Sequence, residues 1–285
     1  MILSFHPVIE ADVQIILGCR SLEDRDLALI QRAEAVILPQ GCSRILYQTC
    51  RNLQKRLFPD YEVRFKYPGK SGQSRLFKAL GFPQPHTACW TSVDEFRASH
   101  PECHSSPHGF PFLFKSDHAH EGKGVFFVEN ATNGQKALDH LANQERAGFS
   151  GFVTQAFVPS QGNVLRAVII HQKILTYWKR AAKPGQVITT VSRGAILDHD
   201  WESGKQEQGG LLALELQKKT GITLAAVDFL FPHTAGSNGP LFLEINYFFG
   251  RRGLGGSMTY YGLLYEAVQT WLAESGLDPN AIRPV

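Results

Sequence analysis

Apolar residues in this chain fall into short blocks of two periods. The runs at residues 13–18 (VQIILG) and 35–39 (AVILP) read as buried strands. Residues 21–35 and 42–58 instead repeat apolar positions every three or four residues, as amphipathic helices do, with Ser21 placed to cap the first. Alternating strands and helices predict a small α/β lobe. A turn before Lys70, one helix, and then Gly81 with Pro83 and Pro85 to end it lead into a second lobe. Strands at 110–116 and 125–130 and a helix at 134–146 are expected there. Beyond come a strand at 152–158, a hairpin over 165–181 turning at His171–Lys173, a helix at 208–220, strands at 224–231 and 240–246, and a last helix at 259–275. The predicted division is an amino-terminal α/β domain (1–68), a small lobe that includes the linking helix (69–154) and a carboxy-terminal lobe (155–285).

The last two strands carry polar residues where burial should be deepest. Residues two apart in a strand share a face, so Phe242, Glu244 and Asn246 are expected on one side. The preceding strand has the same feature at Asp228, and the loop between them is long enough to return the chain antiparallel, with Asp228 opposite the Glu244 and Asn246 face. Two carboxylates about 4 Å apart repel by about 4 kcal/mol at an effective dielectric of about 20, so a cation belongs between them. Two readings follow: arginines that close the sheet with ion pairs, or a magnesium site. A buried ion pair often adds little net stability. An Asp, a Glu and an Asn oxygen suit a hard cation that keeps part of its water and shares its other positions with nucleotide phosphates.

Phosphates also need cations and open backbone donors. Lys115 ends an apolar strand, and Gly122, Lys123 and Gly124 follow. The two glycines let backbone N–H groups approach an anion, although Gly-x-Gly is more often simply a hairpin turn. No Gly-Lys-Ser/Thr opens a helix after them, so this is not a Walker loop. Lys70 is a second candidate cation. The strand exit at Gln155, Ala156, Phe157 and Val158 offers backbone groups to an adenine edge.

Composition narrows the class without naming it. With 43% hydrophobic and 19% charged residues the chain reads as globular, and a formal charge of +3 spread along it argues against a nucleic-acid surface while admitting a small anionic ligand. The longest apolar runs are too short to span a bilayer, and Met1 leads into ILSF without the pattern of a secretory signal. Five irregularly spaced cysteines fit a reducing compartment, so the cytoplasm is the expected location, with no membrane partner. His100, Cys103, His104 and His108 crowd one Pro/Ser-rich stretch, but their spacing matches no paired zinc motif. His118 and His120 flank the proposed phosphate turn, where a protonated imidazole would meet a phosphate.

Taken in order, Lys70 with Gly81 and Pro85, Lys115 before its glycine turn, the exit TQAFV, Arg166, Arg180, and Asp228 followed by EIN resemble the ATP-grasp superfamily over about residues 66–256. Asp228 with EIN is the specific part. Among its branches the chain looks most like the RimK-type glutamate ligases and their glutathione synthetase relatives. The resemblance implies an α/β ATP-grasp fold, in which an amino-terminal α/β domain precedes two lobes that sandwich a nucleotide. It implies ATP held by Lys70, Lys115, Gly122, Lys123, Gly124, Gln155, Ala156, Phe157 and Val158, and magnesium, or manganese in its place, on Asp228, Glu244 and Asn246. It further implies an enzyme that activates a carboxylate as an acyl phosphate for attack by an amine, with Arg166 and Arg180 clamping the carboxylate. Arg193, Arg251, Arg252 and Gly253 are then the candidate substrate pocket. The implied partners are a small carboxylate and an amine or peptide; the oligomeric state is open, a homodimer being compatible. Three positions depart from the family pattern: Ala156 and Val164 stand where acids are usual, and Thr190 where Asn is usual. They bear on ribose and substrate contacts rather than on the metal. Transfer of a phosphoryl group to a hydroxyl, and nucleotide binding without turnover, are the rival functions.

Overall fold

The computed structural model describes residues 1–101, 106–117, 122–233 and 239–285 of the chain. The amino-terminal elements are β1 (Ile2–Ser4), β2 (Ile9–Glu10), β3 (Val13–Gln14), α1 (Asp24–Arg32), β4 (Ala35–Ile37), α2 (Arg44–Asn52) and β5 (Arg56–Phe58). Four of these strands form a parallel sheet in the order β3-β1-β4-β5. Two expectations shift here. Glu23 rather than Ser21 caps α1, because its backbone N–H donates to the Asp26 carboxylate at 2.9 Å in a capping box. The helix expected over 42–58 stops at Asn52: Gln54 takes a left-handed φ of 54°, and the apolar residues after it become the edge strand of the sheet.

Two helices, α3 (Glu62–Lys66) and α4 (Gly69–Ala79), lead to the small lobe. It contains β6 (Thr87–Trp90), α5 (Val93–Ser99), β7 (Phe112–Ser116), β8 (Val125–Val128), α6 (Ala131–Arg146) and β9 (Phe152–Ala156), with an antiparallel sheet in the order β6-β9-β7-β8. Phe96, Phe112, Phe114, Leu138 and Phe152 give it a core of its own. Neither β6 nor α5 is predicted by the pattern of apolar residues. All four residues of β6 are only half-buried, so it lacks the apolar alternation that marks a strand.

The large lobe follows: β10 (Val164–Ile170), β11 (Lys173–Arg180), β12 (Ile196–Asp198), α7 (Ser203–Thr220), β13 (Leu224–Leu230), β14 (Leu241–Asn246), α8 (Ser257–Glu274) and β15 (Arg283–Pro284). Its antiparallel sheet runs β12-β11-β10-β13-β14, while β15 pairs with β2. On one face Leu165, Trp178 and Phe229 pack with Leu216 of α7 and with Leu3, Val36 and Leu57 of the first sheet. On the other, Val168 and Ala226 pack with Leu264 of α8 and with Ile2 and Ile37. The amino-terminal sheet is thus joined to the large lobe by continuous apolar packing. None of the described helices is long and apolar enough to cross a membrane.

Helix α4 ties these parts together at short range. The Gln73 amide donates to the carbonyl of Ile245 and accepts from its N–H, both at 2.8 Å, and so binds α4 to β14. At its first turn the Ser71 N–H donates to Asp117 at 2.9 Å, at the exit of β7. Gly72 is required by the tight approach of the preceding turn, since a methyl group there would lie 2.4 Å from the backbone carbonyl carbon of Tyr67. Helix propensity alone would make Gly72→Ala stabilising by about 1 kcal/mol. Overpacking against backbone predicts the reverse, a loss of about 1–3 kcal/mol, readable as a lower melting temperature; an unchanged or raised melting temperature would show that the turn has room.

Candidate active site

Antiparallel pairing places Arg166 of β10, Asp228 of β13 and Glu244 of β14 side by side across three strands. Directly paired residues face the same side, and this face continues to Tyr177 and Lys179 of β11. Arg166 donates from Nε and Nη2 to the two Asp228 oxygens, each at 2.8 Å, and Lys179 Nζ donates to Oδ2 at 2.8 Å. Burial alone would raise the Asp228 carboxyl; Arg166 and Lys179 outweigh it and hold the group well below the usual carboxylate range. The Lys179 ammonium is pushed down by its own burial, with Asp228 opposing. The ion-pair reading of the acids therefore describes Asp228 itself. Removing either partner of such a buried pair costs about 3–5 kcal/mol, because a charge is left uncompensated.

Glu244 differs. Among the described residues it has no cation at ion-pair distance, and its Oε1 accepts from the Asn246 amide at 3.0 Å, while that amide also lies 3.3 Å from Asp228 Oδ2. A β-bulge at Asp228/Phe229 explains how β14 presents this edge. Phe229 is opposite Phe242 whereas Asp228 is opposite Glu244, so Leu243 is the extra residue and the alternation slips by one. Phe242 accordingly does not share the polar face: it is fully buried against Phe77, Phe82 and Phe229. Leu243 and Glu244 both reach the cavity beside the sheet.

Two adjoining cavities meet at this edge. The first, about 380 Å³, is walled by Leu113, Val125, Phe157, Ile188, Leu230 and Leu243, a size and polarity suited to a planar heterocycle. The second, about 1090 Å³, opens between Arg44, Arg64 and Tyr67 on one side and Tyr247 to Gly253 on the other. Lys70, Gly122, Lys179, Thr190, Glu244 and Asn246 line both. The oxygens of Glu244 and Asn246 are chemically suited to a hard divalent ion once the Asn246 amide turns its oxygen inward. Asp228 borders the first cavity as a third donor, with its oxygens shared with Arg166 and Lys179. Among the described residues no three His, Cys, Asp or Glu side chains converge on a metal position.

Lysines gather beside the first cavity. Lys115, buried, donates to Gln155 Oε1 at 2.6 Å, and Gln155 in turn donates to Thr87 at 2.9 Å. Burial, opposed by Glu244 and helped by Lys70, lowers the Lys115 ammonium to about 8. Lys70 Nζ donates to the Ser116 carbonyl at 3.0 Å. Ala156, Phe157 and Val158 line the first cavity, and the Ala156 N–H is already bonded to the His86 carbonyl at 2.9 Å, so it is not free for an adenine edge. Ala156, Val164 and Thr190, the departures from the family pattern, all line this cavity, the first two as apolar wall.

Other expected site residues lie elsewhere. Arg180 is one residue out of phase with Lys179, on the α7 face, where it pairs with Asp198 at 2.7 Å and stacks over Trp201; it reaches neither cavity. Lys123 is exposed and Gly124 is buried in the turn, its carbonyl accepting from Ser116; neither lines a cavity. Arg193 lines neither cavity, and its Nη2 lies 3.4 Å from the Gly122 carbonyl. Arg251, Arg252 and Gly253 line the second cavity, and Gly253 lets the chain approach Tyr177, whose ring a methyl group would strike at 2.1 Å. Cys103, His104, His118 and His120 lie outside the described residues; His100 packs on Trp90 and Phe96, and His108 bonds His86 and Thr154. Lys179 has no place in the sequence reading, although the hairpin turn at His171 fixes the register that sets it beside Arg166. Arg44 and Arg64, far away in sequence, had no such signal.

With this geometry the chain compares closely in fold with known proteins. Residues 77–259 match the family model described as "RimK-like ATP-grasp domain". A "Probable alpha-L-glutamate ligase 2" of Hahella chejuensis is 27% identical over 181 residues, covering 63% of this chain and 55% of that protein. A "Probable alpha-L-glutamate ligase" of Pseudomonas fluorescens is 24% identical over 173 residues, covering 60% and 52%. The chain therefore spans about half the length of the curated relatives it matches. Among solved structures, a RimK domain ATP-grasp protein of Sphaerobacter thermophilus superposes with a TM-score of 0.57 at 17% identity, covering 91% of this chain and 89% of that one. D-alanine–D-alanine ligase of Bacillus anthracis superposes with 0.60 at 14% identity, covering 92% and 84%. The fold is that of the ATP-grasp proteins, and the chain belongs to the RimK-like ATP-grasp family.

Proposed function

We propose that this protein is an ATP-dependent ligase that joins a carboxylate to an amine, or to a thiol, through an acyl phosphate. The observation that carries this reading is the junction: a nucleotide-sized cavity and a larger one share Lys70, Lys179, Glu244 and Asn246. A triphosphate entering from the first cavity would present its terminal phosphoryl group where a carboxylate in the second can reach it. In the first step a carboxylate oxygen forms a bond to the terminal phosphorus, the bridging P–O bond breaks, and ADP leaves. In the second the amine attacks the acyl carbon, inorganic phosphate departs, and the amine loses a proton. Neither step needs a protein nucleophile, and the chain's contribution is positioning and charge neutralisation.

Each residue's part follows from its surroundings. Lys115, aimed by Gln155, and Lys70, anchored on Ser116, neutralise the phosphates. Lys179, bonded to Asp228, stands at the junction as a fixed positive charge. Arg166 keeps its two bonds to Asp228 and fixes that carboxylate, so its role is to position rather than to clamp a substrate. Phe157 and Val158 would flank the base at the hinge. Magnesium, with manganese as a substitute, would be held by Glu244 and Asn246 beside Asp228 and would screen the phosphate charges. Gly122 packs against Ile188 closely enough that a methyl group would meet it at 2.9 Å, so these two residues stand together at the junction.

Screening amino acids and short peptides for stimulated ADP release, followed by mass analysis of the product, tests the reading. Ligation with ADP and phosphate supports it; a phosphorylated acceptor, or nucleotide binding without ADP under all conditions, overturns it. With a substrate in hand, oxygen-18 in its carboxylate should appear in the released phosphate. Lys115→Ala should weaken ADP binding at least tenfold by calorimetry. Because Lys115 loses its proton near pH 8, wild-type affinity should decline as pH rises through that value and the Lys115→Ala affinity should not. Glu244→Gln should abolish metal-dependent ADP release with the melting temperature kept within a few degrees; full activity at saturating magnesium would remove Glu244 from the metal site.

A further inference from the structure

The second cavity is lined by two acids, Asp117 and Glu244, and by a larger number of cations, among them four arginines that pair with neither acid. Arg44, in the first turn of α2, and Arg64, in α3, come from the amino-terminal domain, and Arg251 and Arg252 from the loop after β14. Among the described residues none of these four lies at ion-pair distance from a carboxylate, whereas Arg20, Arg51, Arg166, Arg180 and Arg283 each do. Uncharged groups aim three of them instead. Arg44 donates to the Phe65 carbonyl at 3.0 Å and stands 5.3 Å over that ring. Arg64 donates to the Cys42 carbonyl at 3.0 Å and lies 5.2 and 4.9 Å over Tyr61 and Phe65. Arg251 lies 5.0 and 4.4 Å over Tyr260 and Tyr261. Such contacts fix the direction of a guanidinium and leave its charge uncompensated. Like charges gathered about one space repel one another, and a bound anion would relieve that repulsion.

We infer that the second cavity takes an acceptor carrying at least two negative groups beyond its reacting end, and that Arg44 and Arg64 are specificity-determining residues reading the distal ones. This rests on the ligase reading, which places the reacting end at Lys179 and Glu244. The space, about 1090 Å³, is at the upper end of small-molecule pockets, which run to about 1,000 Å³, and so has room for an extended acceptor. Phe65, Tyr67 and Phe248 supply flat apolar wall between the charges, and Phe248 is 73% exposed at the rim. Guanidinium groups pair bidentately with both carboxylates and phosphates, so a short acidic peptide and a phosphorylated metabolite share the required chemistry.

Calorimetry on the whole protein saturated with ADP and magnesium tests this with triglutamate, triglutamine and a sugar bisphosphate as probes. At least one charged probe should bind ten times more tightly than triglutamine, and Arg44→Gln with Arg64→Gln should weaken it tenfold or more with ADP affinity unchanged. The Arg44→Lys and Arg64→Lys pair should recover part of the loss, which separates charge from packing, and the single exposed Arg44→Gln serves if the double variant melts early. Preference for triglutamate assigns a peptide acceptor, and preference for the bisphosphate a phosphorylated one. Binding of charged and neutral probes alike, no binding of either charged probe, or an unaffected Gln variant overturns the inference. Failure of the wild-type protein to bind ADP would instead overturn the ligase reading.

Discussion

Asp228 is buried in the middle of a sheet, and everything near the cavities is arranged around keeping it charged. Its two oxygens receive Arg166 from one strand and Lys179 from the next, and its neighbour on the other side is Glu244. Two cations bonded to one buried carboxylate leave one positive charge over, and Glu244, beside them but not at ion-pair distance, is its nearest counter-charge. That excess faces the junction of the cavities through Lys179, with Lys115 and Lys70 adding to it from the small lobe. Glu244, without a cation of its own, sits at the same place. A polyanion and a divalent cation together would complete the balance, which is the electrostatic description of a metal-bound nucleotide tail.

The framework that holds these charges in register is mechanical as well as electrostatic. Helix α4 is bonded to β14 through Gln73 and to the exit of β7 through Asp117, so it spans the large lobe and the small one at the level of the cavities. Lys70 projects from its first turn and bonds the Ser116 carbonyl, beside the end of the strand that carries Lys115. The small lobe keeps a separate core, while the amino-terminal domain shares both of its apolar layers with the large lobe. Arg44 and Arg64 are therefore carried on the body that bears Asp228 and Glu244, and the cavity they line has a fixed floor.

Much of this was legible in the sequence, for physical reasons that also explain the rest. Carboxylates inside apolar strands are costly enough to announce themselves, which is why Asp228, Glu244 and Asn246 stood out and why the structure brings them together. Strict period-two alternation in β14 sets Phe242 on the polar face, and the bulge at Asp228/Phe229 returns it to the core. The same alternation in β11 puts Lys179 and Arg180 on opposite faces, Lys179 toward Asp228 and Arg180 over Trp201. The edge strand β5 and the half-buried β6 carry too few apolar positions to separate strand from helix or loop. Arg44 and Arg64 meet Arg251 only through tertiary packing, which no local pattern encodes.

The most direct measurement is a crystal structure with magnesium and a non-hydrolysable ATP analogue. The base should lie in the smaller cavity against Phe157 and Leu243, and the terminal phosphate between Lys70 and Lys179 with the metal on Glu244 and Asn246. A nucleotide bound with its phosphates away from Glu244, or lodged in the larger cavity, would contradict the assignment of the junction as the place where the two reactants meet.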